Sequence, residues 1–164
     1  MSFLPAILVM AVIFRFSAQT GTESAKLSLK VSRYVVSGTE HCFGIRLTQE
    51  QIDQAMETIH LYVRKLAHVT IYFILAVSVA FPLYVYGVRG IWLVLVAGVI
   101  CVGYAGLDEY HQSFVAGRGP SVKDVAIDSI GVFLGIILTR IIGWTGRMTI
   151  FRPLSSRSRE DDDR

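Results

Sequence analysis

The amino-acid sequence predicts an all-α polytopic membrane protein, a four-transmembrane-helix bundle with an amphipathic helix in the first loop. Three observations support this fold class. The chain has 164 residues, of which 52% are hydrophobic and 18% are charged, a balance well outside that of soluble domains. Its apolar residues gather in four stretches. The segments between these stretches are polar or rich in helix-breaking residues, as expected of loops between spans.

The four apolar stretches are predicted to be spans because a helix needs roughly 17 to 25 residues to cross the hydrocarbon core of a bilayer. Three stretches reach or approach that length, whereas the first is short and requires a thin bilayer or covering helices. We interpret the first as a retained helix, since it lacks the basic n-region and clear cleavage site of a signal peptide. The predicted spans are approximately residues 3–16, 66–86, 91–107 and 125–143.

The long polar loop after the first span is predicted to contain the amphipathic helix. Thr48 and Gln51 form a capping box at its start. Apolar residues then recur at spacings of three and four, at Ile52, Met56, Ile59, Val63 and Leu66. We expect this helix to run directly into the second span and Pro82 to kink or end that span. A second capping motif, Ser121 with Asp124, precedes the fourth span.

Residues 1–147 are predicted to form one membrane domain, and residues 148–164 a polar, disordered tail. A chain of this size has no room for a separate catalytic domain, so any chemistry must lie on the helices and their loops. Its basic residues are spread along the chain without an aromatic-interleaved patch, which argues against nucleic-acid binding. The arginines from Arg140 onward favour a cytoplasmic C-terminal tail.

Charged residues follow the third predicted span closely. If this helix continues beyond Leu107, helical spacing places Asp108, His111 and Gln112 on one face. Glu109 is then a neighbour of Gln112. A polar cluster is therefore expected where the third span ends.

The second and fourth spans carry polar residues at their entries. Asp124 and Asp128 are four residues apart, and Gly131 and Gly135 continue the same stripe as a GxxxG-type seam that allows close approach of another backbone. On the second span, one stripe contains Lys65, His68 and Tyr72.

These sets are expected to meet in a shallow polar pocket at one membrane interface, because the span ends that carry them lie on the same side. Ionisable groups within spans are costly unless paired or hydrated, and they usually mark a functional site. The pocket is predicted to bring Asp108, Glu109, Gln112, Asp124 and Asp128 opposite Lys65, His68, Arg118 and Lys123.

Each candidate also has a structural interpretation. Lys65, like the adjacent Arg64, can extend to the interface from a helix start. Asp124 complements a helix dipole, and Asp128 can form a salt bridge with Arg118 or Lys65. The same holds for the aromatic candidates: a histidine in a helix often only packs, and tyrosines gather at membrane interfaces.

Three segments stand out at the ends of the predicted spans: "FSAQTG" after the first span, "RKLAHVTIYFILA" at the second, and "DEYHQSFVAGRGPSVKDVAIDSIGVFLG" between the third and fourth. Together they resemble the VanZ-like membrane proteins. The resemblance implies a small bacterial four-helix membrane protein, in a family whose founding member confers low-level resistance to the lipid-tailed glycopeptide teicoplanin. The motif positions that it marks are Ser17, Gln19, Lys65, His68, Tyr72, Asp108, Glu109, Gln112, Arg118, Asp124 and Asp128.

Three functions fit these residues. The first is a non-catalytic envelope protein that binds a membrane lipid, a lipid-linked cell-wall precursor or a lipoglycopeptide, with no cofactor and no metal expected. It leads because the sequence lacks a nucleophile elbow, an HExxH motif and a P-loop. Another function is transport, which requires polar residues across the whole membrane, yet the far ends of the spans carry only Arg89 and Arg140.

The remaining function is that of an intramembrane enzyme that acts on a lipid headgroup. Its catalytic candidates are Glu109, Asp128 and His68, as acid, base or, for the carboxylates together with Asp108, as oxygen ligands of a divalent cation. Arg118 would bind a phosphate of the substrate. The sequence leaves open whether the protein is an enzyme.

Overall fold

Five α-helices and no strand make up the residues that the computed structural model describes, 2–44, 48–119 and 121–149. In chain order the helices are α1 (Leu4–Ser17), α2 (Gly21–Phe43), α3 (Gln49–Val85), α4 (Gly90–Gln112) and α5 (Val122–Thr149). The predicted all-α fold is confirmed. Of the predicted tail, residues 148 and 149 belong to α5, and the remainder lies outside the described residues.

Three helices, α3, α4 and α5, are each long and apolar enough to cross a membrane. The 14-residue α1 is too short to qualify alone, but it meets the criterion together with α2, from which it is separated by a 107° bend. The described residues therefore contain three candidate spans, or four if the bent pair counts as one. The protein is a multi-pass helical membrane bundle, and the predicted count of four holds only with the bent pair.

Helix α2 lies in the segment that we predicted to be a polar loop. It begins with a capping box in which the Thr20 hydroxyl accepts the Glu23 N–H at 3.3 Å and the Glu23 carboxylate accepts the Thr20 N–H at 3.2 Å. Its buried residues are Ser28, Ser32 and Val36, spaced four apart on one face, and α2 packs along α3. The hydroxyls of Ser28 and Ser32 bond to the carbonyls of the preceding turn, so a polar face packs without unsatisfied hydroxyls.

Helix α3 combines the predicted amphipathic helix and the second span. The Thr48 and Gln51 capping box is present: the Thr48 nitrogen lies 3.0 Å from Gln51 Oε1, and the Gln51 nitrogen lies 3.4 Å from the Thr48 hydroxyl oxygen. With 37 residues, α3 is about 55 Å long, well beyond the roughly 30 Å of a hydrocarbon core. Its N-terminal part therefore extends past the membrane. The helix continues through Pro82 and ends at Val85, so the predicted stop near this proline is present.

The close approach predicted at the glycines of α5 is made with α3. A Cβ atom added at Gly131 would collide with the Val69 carbonyl, and one added at Gly135 would lie 2.6 Å from the Phe73 oxygen. Because glycine has no side chain, the α5 backbone is in direct contact with the α3 backbone at these two positions. The largest fully buried side chains among the described residues include Tyr72 and Leu75 of α3, Leu93 of α4, and Val132 and Ile136 of α5.

Helix α1 crosses the bundle from one end to the other. The Phe3 ring stacks on the Tyr86 ring with centroids 6.0 Å apart, close to the turn between α3 and α4. At the other end, the Ser17 hydroxyl accepts a hydrogen bond from Gln112 at the end of α4. The start of α2 therefore lies at the end of the bundle that carries the charged residues.

Candidate functional site

A cavity of about 420 Å³ opens where α4 ends, α5 begins and α3 enters the bundle. We call it the polar recess. The predicted site residues on its walls are Lys65, His68, Glu109, Gln112, Arg118, Lys123, Asp124 and Asp128, and the further charged residue is Arg64. The structure therefore brings together polar side chains from three distant parts of the sequence, as the helical spacing predicted.

Gln112 connects the buried polar groups of the recess. Its Nε2 donates to Asp108 Oδ2 at 2.9 Å and to the Ser17 hydroxyl at 3.2 Å. Its Oε1 accepts from Arg118 Nη1 at 2.8 Å, and Arg118 Nη2 donates to the Phe16 carbonyl at 3.4 Å. Asp108 is only 5% exposed and, contrary to the prediction, does not line the recess itself; it contacts the recess through Gln112. The network fixes Arg118 against α1 and α4.

Glu109 holds the start of α5. Its Oε1 accepts the backbone N–H of Ser121 at 2.7 Å, the group that the predicted capping motif assigned to Asp124. The loop before α5 also contacts α2, since Gly21 N–H donates to the Ala116 carbonyl at 3.1 Å. The carboxylate and this loop contact join α2, α4 and α5 at the mouth of the recess.

Two further contacts pair α3 with α5. His68 Nδ1 lies 3.5 Å from Asp128 Oδ1, and Lys65 Nζ lies 3.9 Å from Asp124 Oδ1. The second pair is about half exposed, so it contributes little stability. Asp128 is 3% exposed, and its partner is His68 instead of the Arg118 or Lys65 considered from sequence.

Three cations of the recess have no such partner. In the described ranges, no carboxylate oxygen lies within 4.0 Å of a charged nitrogen of Arg64, Arg118 or Lys123. Burial lowers the pKa of the Arg118 guanidinium, and the nearby charge of Arg64 adds to this effect. Asp108 and Glu109 act in the opposite direction, but more weakly. The recess therefore holds a partly desolvated positive charge.

A second cavity, of about 300 Å³, lies between α1, α2 and α3. We call it the apolar groove. Its apolar walls come from Ile13, Phe16, Leu27, Val31, Val63, Ala67 and Ile71. Predicted site residues Ser17, Gln19 and Tyr72 also line it, and the side chains that it shares with the polar recess are Arg64, His68 and Arg118. Tyr72 is fully buried, so it is not an aromatic residue of the membrane interface.

His111 lies apart from both cavities. Its ring stacks on Phe14 of α1 with centroids 4.5 Å apart, and it lines neither the polar recess nor the apolar groove. The residues predicted to share one helical face therefore lie in different places: Gln112 lines the recess, Asp108 is buried beside Gln112, and His111 packs against α1.

The family model for VanZ/LLP1 matches residues 2–143. The chain belongs to the VanZ/LLP1 family. No curated protein and no solved structure matches it. The matched range contains α1 to α4 and most of α5, so both cavities of this VanZ/LLP1 protein lie inside the family region. The resemblance seen in the sequence is confirmed.

Among the described residues, the VanZ/LLP1 protein has no group of three or more His, Cys, Asp or Glu side chains positioned to hold a metal ion. Asp108, Glu109 and Asp128, considered from sequence as oxygen ligands, thus do not form such a group. Each of them instead faces a different protein group, as described above.

Sequence reasoning missed the contribution of α2 to the site of this VanZ/LLP1 protein. Its groove-lining residues are Ser24, Leu27, Ser28 and Val31. The signal was present, because Thr20 and Glu23 have capping-box spacing and small or apolar residues follow at intervals of four. Arg64 was interpreted only as an interfacial side chain, and in the structure it lines both cavities.

Proposed function

We propose that this VanZ/LLP1 protein binds an amphiphile of the cell envelope, with the headgroup in the polar recess and the hydrocarbon tail in the apolar groove. The observation that carries the proposal is the shared wall, since Arg64, His68 and Arg118 line both cavities. A ligand that fills both must be polar at one end and apolar at the other. Sites of this kind combine apolar walls with a few converging polar groups.

The headgroup is the source of selectivity in this proposal. A tail that moves from lipid into the apolar groove leaves one apolar environment for another, so its burial contributes little free energy. A charged headgroup that moves into the polar recess exchanges water for fixed partners, and the contacts there are strengthened by the lower local dielectric constant. We therefore expect the protein to tolerate different tails and to discriminate between headgroups.

The proposal places the protein in the bacterial cell membrane with its C-terminal tail in the cytoplasm, which puts the polar recess at the outer face. A lipid-linked cell-wall precursor and a lipoglycopeptide are both amphiphiles that reach this face. Binding either one would lower the amount of antibiotic that acts on the precursor. This is how we connect the site to the teicoplanin resistance that the family resemblance implies.

Blocking the apolar groove tests the proposal. Ala67 lines the groove on α3, whereas Ala126 is an exposed residue of α5 that lines neither cavity. Native mass spectrometry of protein extracted from bacterial membranes is expected to detect bound amphiphile in the wild type and in Ala126→Trp, but not in Ala67→Trp. Equal amphiphile in both monodisperse variants would contradict the proposal. Expression of the wild type, but not of Ala67→Trp, should also raise the teicoplanin concentration that stops growth.

A second candidate function is acid/base chemistry on the bound headgroup. The observation that favours it is the position of His68, 3.5 Å from the buried Asp128 at the wall of the polar recess. A carboxylate beside a histidine orients the ring for proton transfer, as in many general bases. Incubation with a panel of envelope lipids should then yield a product that is lost in Asp128→Asn and Glu109→Gln. The absence of any product from the wild type would exclude this candidate.

A further inference from the structure

We infer that the headgroup bound in the polar recess carries a phosphate, and that Arg64, Arg118 and Lys123 bind it. The inference rests on the proposed function, because it names the chemical class of the headgroup end of the same amphiphile. It also excludes neutral headgroups, such as free alcohols and unphosphorylated sugars, as preferred ligands.

Each carboxylate at the recess has at least one contact within the protein, although Asp108 Oδ1 and Asp128 Oδ1 are buried and accept no hydrogen bond among the described residues. Glu109 accepts a backbone N–H at 2.7 Å, and Asp108 accepts the Gln112 amide at 2.9 Å. Asp124 has a lysine at 3.9 Å, and Asp128 has a histidine at 3.5 Å. A cationic ligand would therefore have to share Asp124 and Asp128 with their existing side-chain partners, and Glu109 with a backbone N–H.

Three cations at the recess, in contrast, lack a charged partner within the described ranges. Arg64, Arg118 and Lys123 all line the polar recess without an ion-pair partner among the residues described by the structure. Arg118 donates to two neutral acceptors, the Gln112 amide oxygen and the Phe16 carbonyl, which orient the guanidinium but do not cancel its charge. Its Nε is buried with no hydrogen-bond partner in the same described part of the chain. An anion between these cations would supply the missing compensation.

The number and type of these cations favour phosphate over a single carboxylate. Guanidinium groups bind phosphate and carboxylate oxygens with two parallel hydrogen bonds. Two such groups and an ammonium offer more donors than one carboxylate can accept, whereas a phosphate has more oxygens and up to two negative charges. The N-terminal end of α5, which borders the recess at Ser121 and Lys123, adds a favourable dipole for an anion.

The ligand class is tested with four probes and the full chain in maltoside micelles, which contain no phosphate. Binding of farnesyl phosphate is measured by isothermal titration and compared with farnesol, farnesoic acid and inorganic phosphate. We expect farnesyl phosphate to bind at least about tenfold more tightly than each of the others, which corresponds to one charge-assisted contact or more. Equally tight binding of farnesol or farnesoic acid would overturn the phosphate assignment and leave the amphiphile proposal standing.

Two other results separate the inference from the proposed function. If inorganic phosphate binds as tightly as farnesyl phosphate, the phosphate site is supported but the amphiphile proposal is contradicted. If neither farnesyl phosphate nor farnesol binds, both are overturned. Raising the salt concentration should weaken the binding of farnesyl phosphate more than the binding of farnesol, because salt screens charged contacts.

Variants identify the residues that bind the phosphate. Arg64→Gln and Lys123→Gln are each expected to lower the affinity for farnesyl phosphate about tenfold without changing the affinity for farnesol. Arg140→Gln, a matched loss of one exposed cation on α5 outside both cavities, should change neither. Arg118→Lys keeps the charge but removes the planar donors, and should weaken binding less than Arg118→Gln. Wild-type affinity in both Arg64→Gln and Lys123→Gln would overturn the inference, whether or not the Arg118 variants fold.

Discussion

Replacing Gly131 with alanine is expected to destabilise the protein by forcing α3 and α5 apart. The added Cβ would collide with the Val69 carbonyl oxygen, and it would lie 3.0 Å from the Val69 carbonyl carbon and 3.1 Å from Phe73 N. All three atoms belong to the α3 backbone, so no side-chain rotation relieves the collision. The helices must therefore separate or shift.

The size of the effect follows from two opposing terms. In an open helical position, alanine stabilises relative to glycine by about 0.5–1 kcal/mol, because the unfolded chain loses conformational freedom. Overpacking an interface costs about 1–3 kcal/mol. The difference is about 0–2.5 kcal/mol, and its upper part is expected because the added Cβ meets backbone atoms that cannot rotate away. We therefore expect a net loss of about 1–2 kcal/mol, or roughly 2–8 °C in the unfolding midpoint of a chain of this size.

Gly103→Ala is the matched control, because a Cβ there meets nothing within 4 Å on the exposed side of α4. Thermal unfolding in detergent can be followed through the intrinsic fluorescence of Trp92 and Trp144. We expect Gly131→Ala to lower the midpoint and Gly103→Ala to leave it unchanged or raise it slightly. Equal midpoints for the two variants would refute the close backbone contact as the basis of α3 and α5 packing.

Three further predictions concern single contacts. Glu109→Ala removes the acceptor of a backbone N–H at the start of α5 and should lower the free energy of unfolding by about 1–3 kcal/mol. Asp124→Ala removes a half-exposed ion pair and should lower it by less than about 1 kcal/mol. Similar losses in thermal unfolding would argue against this ranking. Gln112→Glu places a second carboxylate against Asp108 and should lower the unfolding midpoint; an increase would rule out the amide as the donor of that bond. Thr20→Ala removes the α2 cap and should cost about 1 kcal/mol, and unchanged hydrogen exchange in the first turn of α2 would count against the cap.

The polar recess was predictable because helical spacing and span ends together fix where side chains meet. Asp124 and Asp128 share a face of α5 by their four-residue spacing, and His68 enters on the same side of the membrane. Neither statement requires knowledge of loop conformation. Most polar residues on the walls of the recess, though not Arg64, were therefore accessible from sequence, and so were the glycines that let α5 approach α3.

The individual partners inside the recess were not predictable in this way. Glu109 bonds to Ser121 across the loop between α4 and α5, and such a contact depends on a loop path that no periodicity describes. Asp128 faces His68 instead of the arginine or lysine that charge alone suggests, since the choice depends on the rotation of α5 relative to α3.

Helix α2 was missed for a different reason. Its packed face contains Ser28 and Ser32, and hydroxyl side chains do not register as a hydrophobic stripe. In contact with α3 these small residues permit close packing, as they do between membrane helices. The apolar groove depends on α2, so its wall on that helix was not predicted.

The position of the shared wall on α3 supports the proposal that one site binds both ends of an amphiphile. Arg64 and His68 are one helical turn apart, near the level where α3 passes from the bundle into its N-terminal extension. A charged group at the centre of a bilayer is far more costly than one at the interface, while contacts at the interface are still less screened than in bulk water. At this depth the cations can stay charged and still bind an anion more strongly than an exposed residue would. In the proposed complex the tail of the ligand would remain at the level of the hydrocarbon, so binding would require no transfer of apolar surface into water.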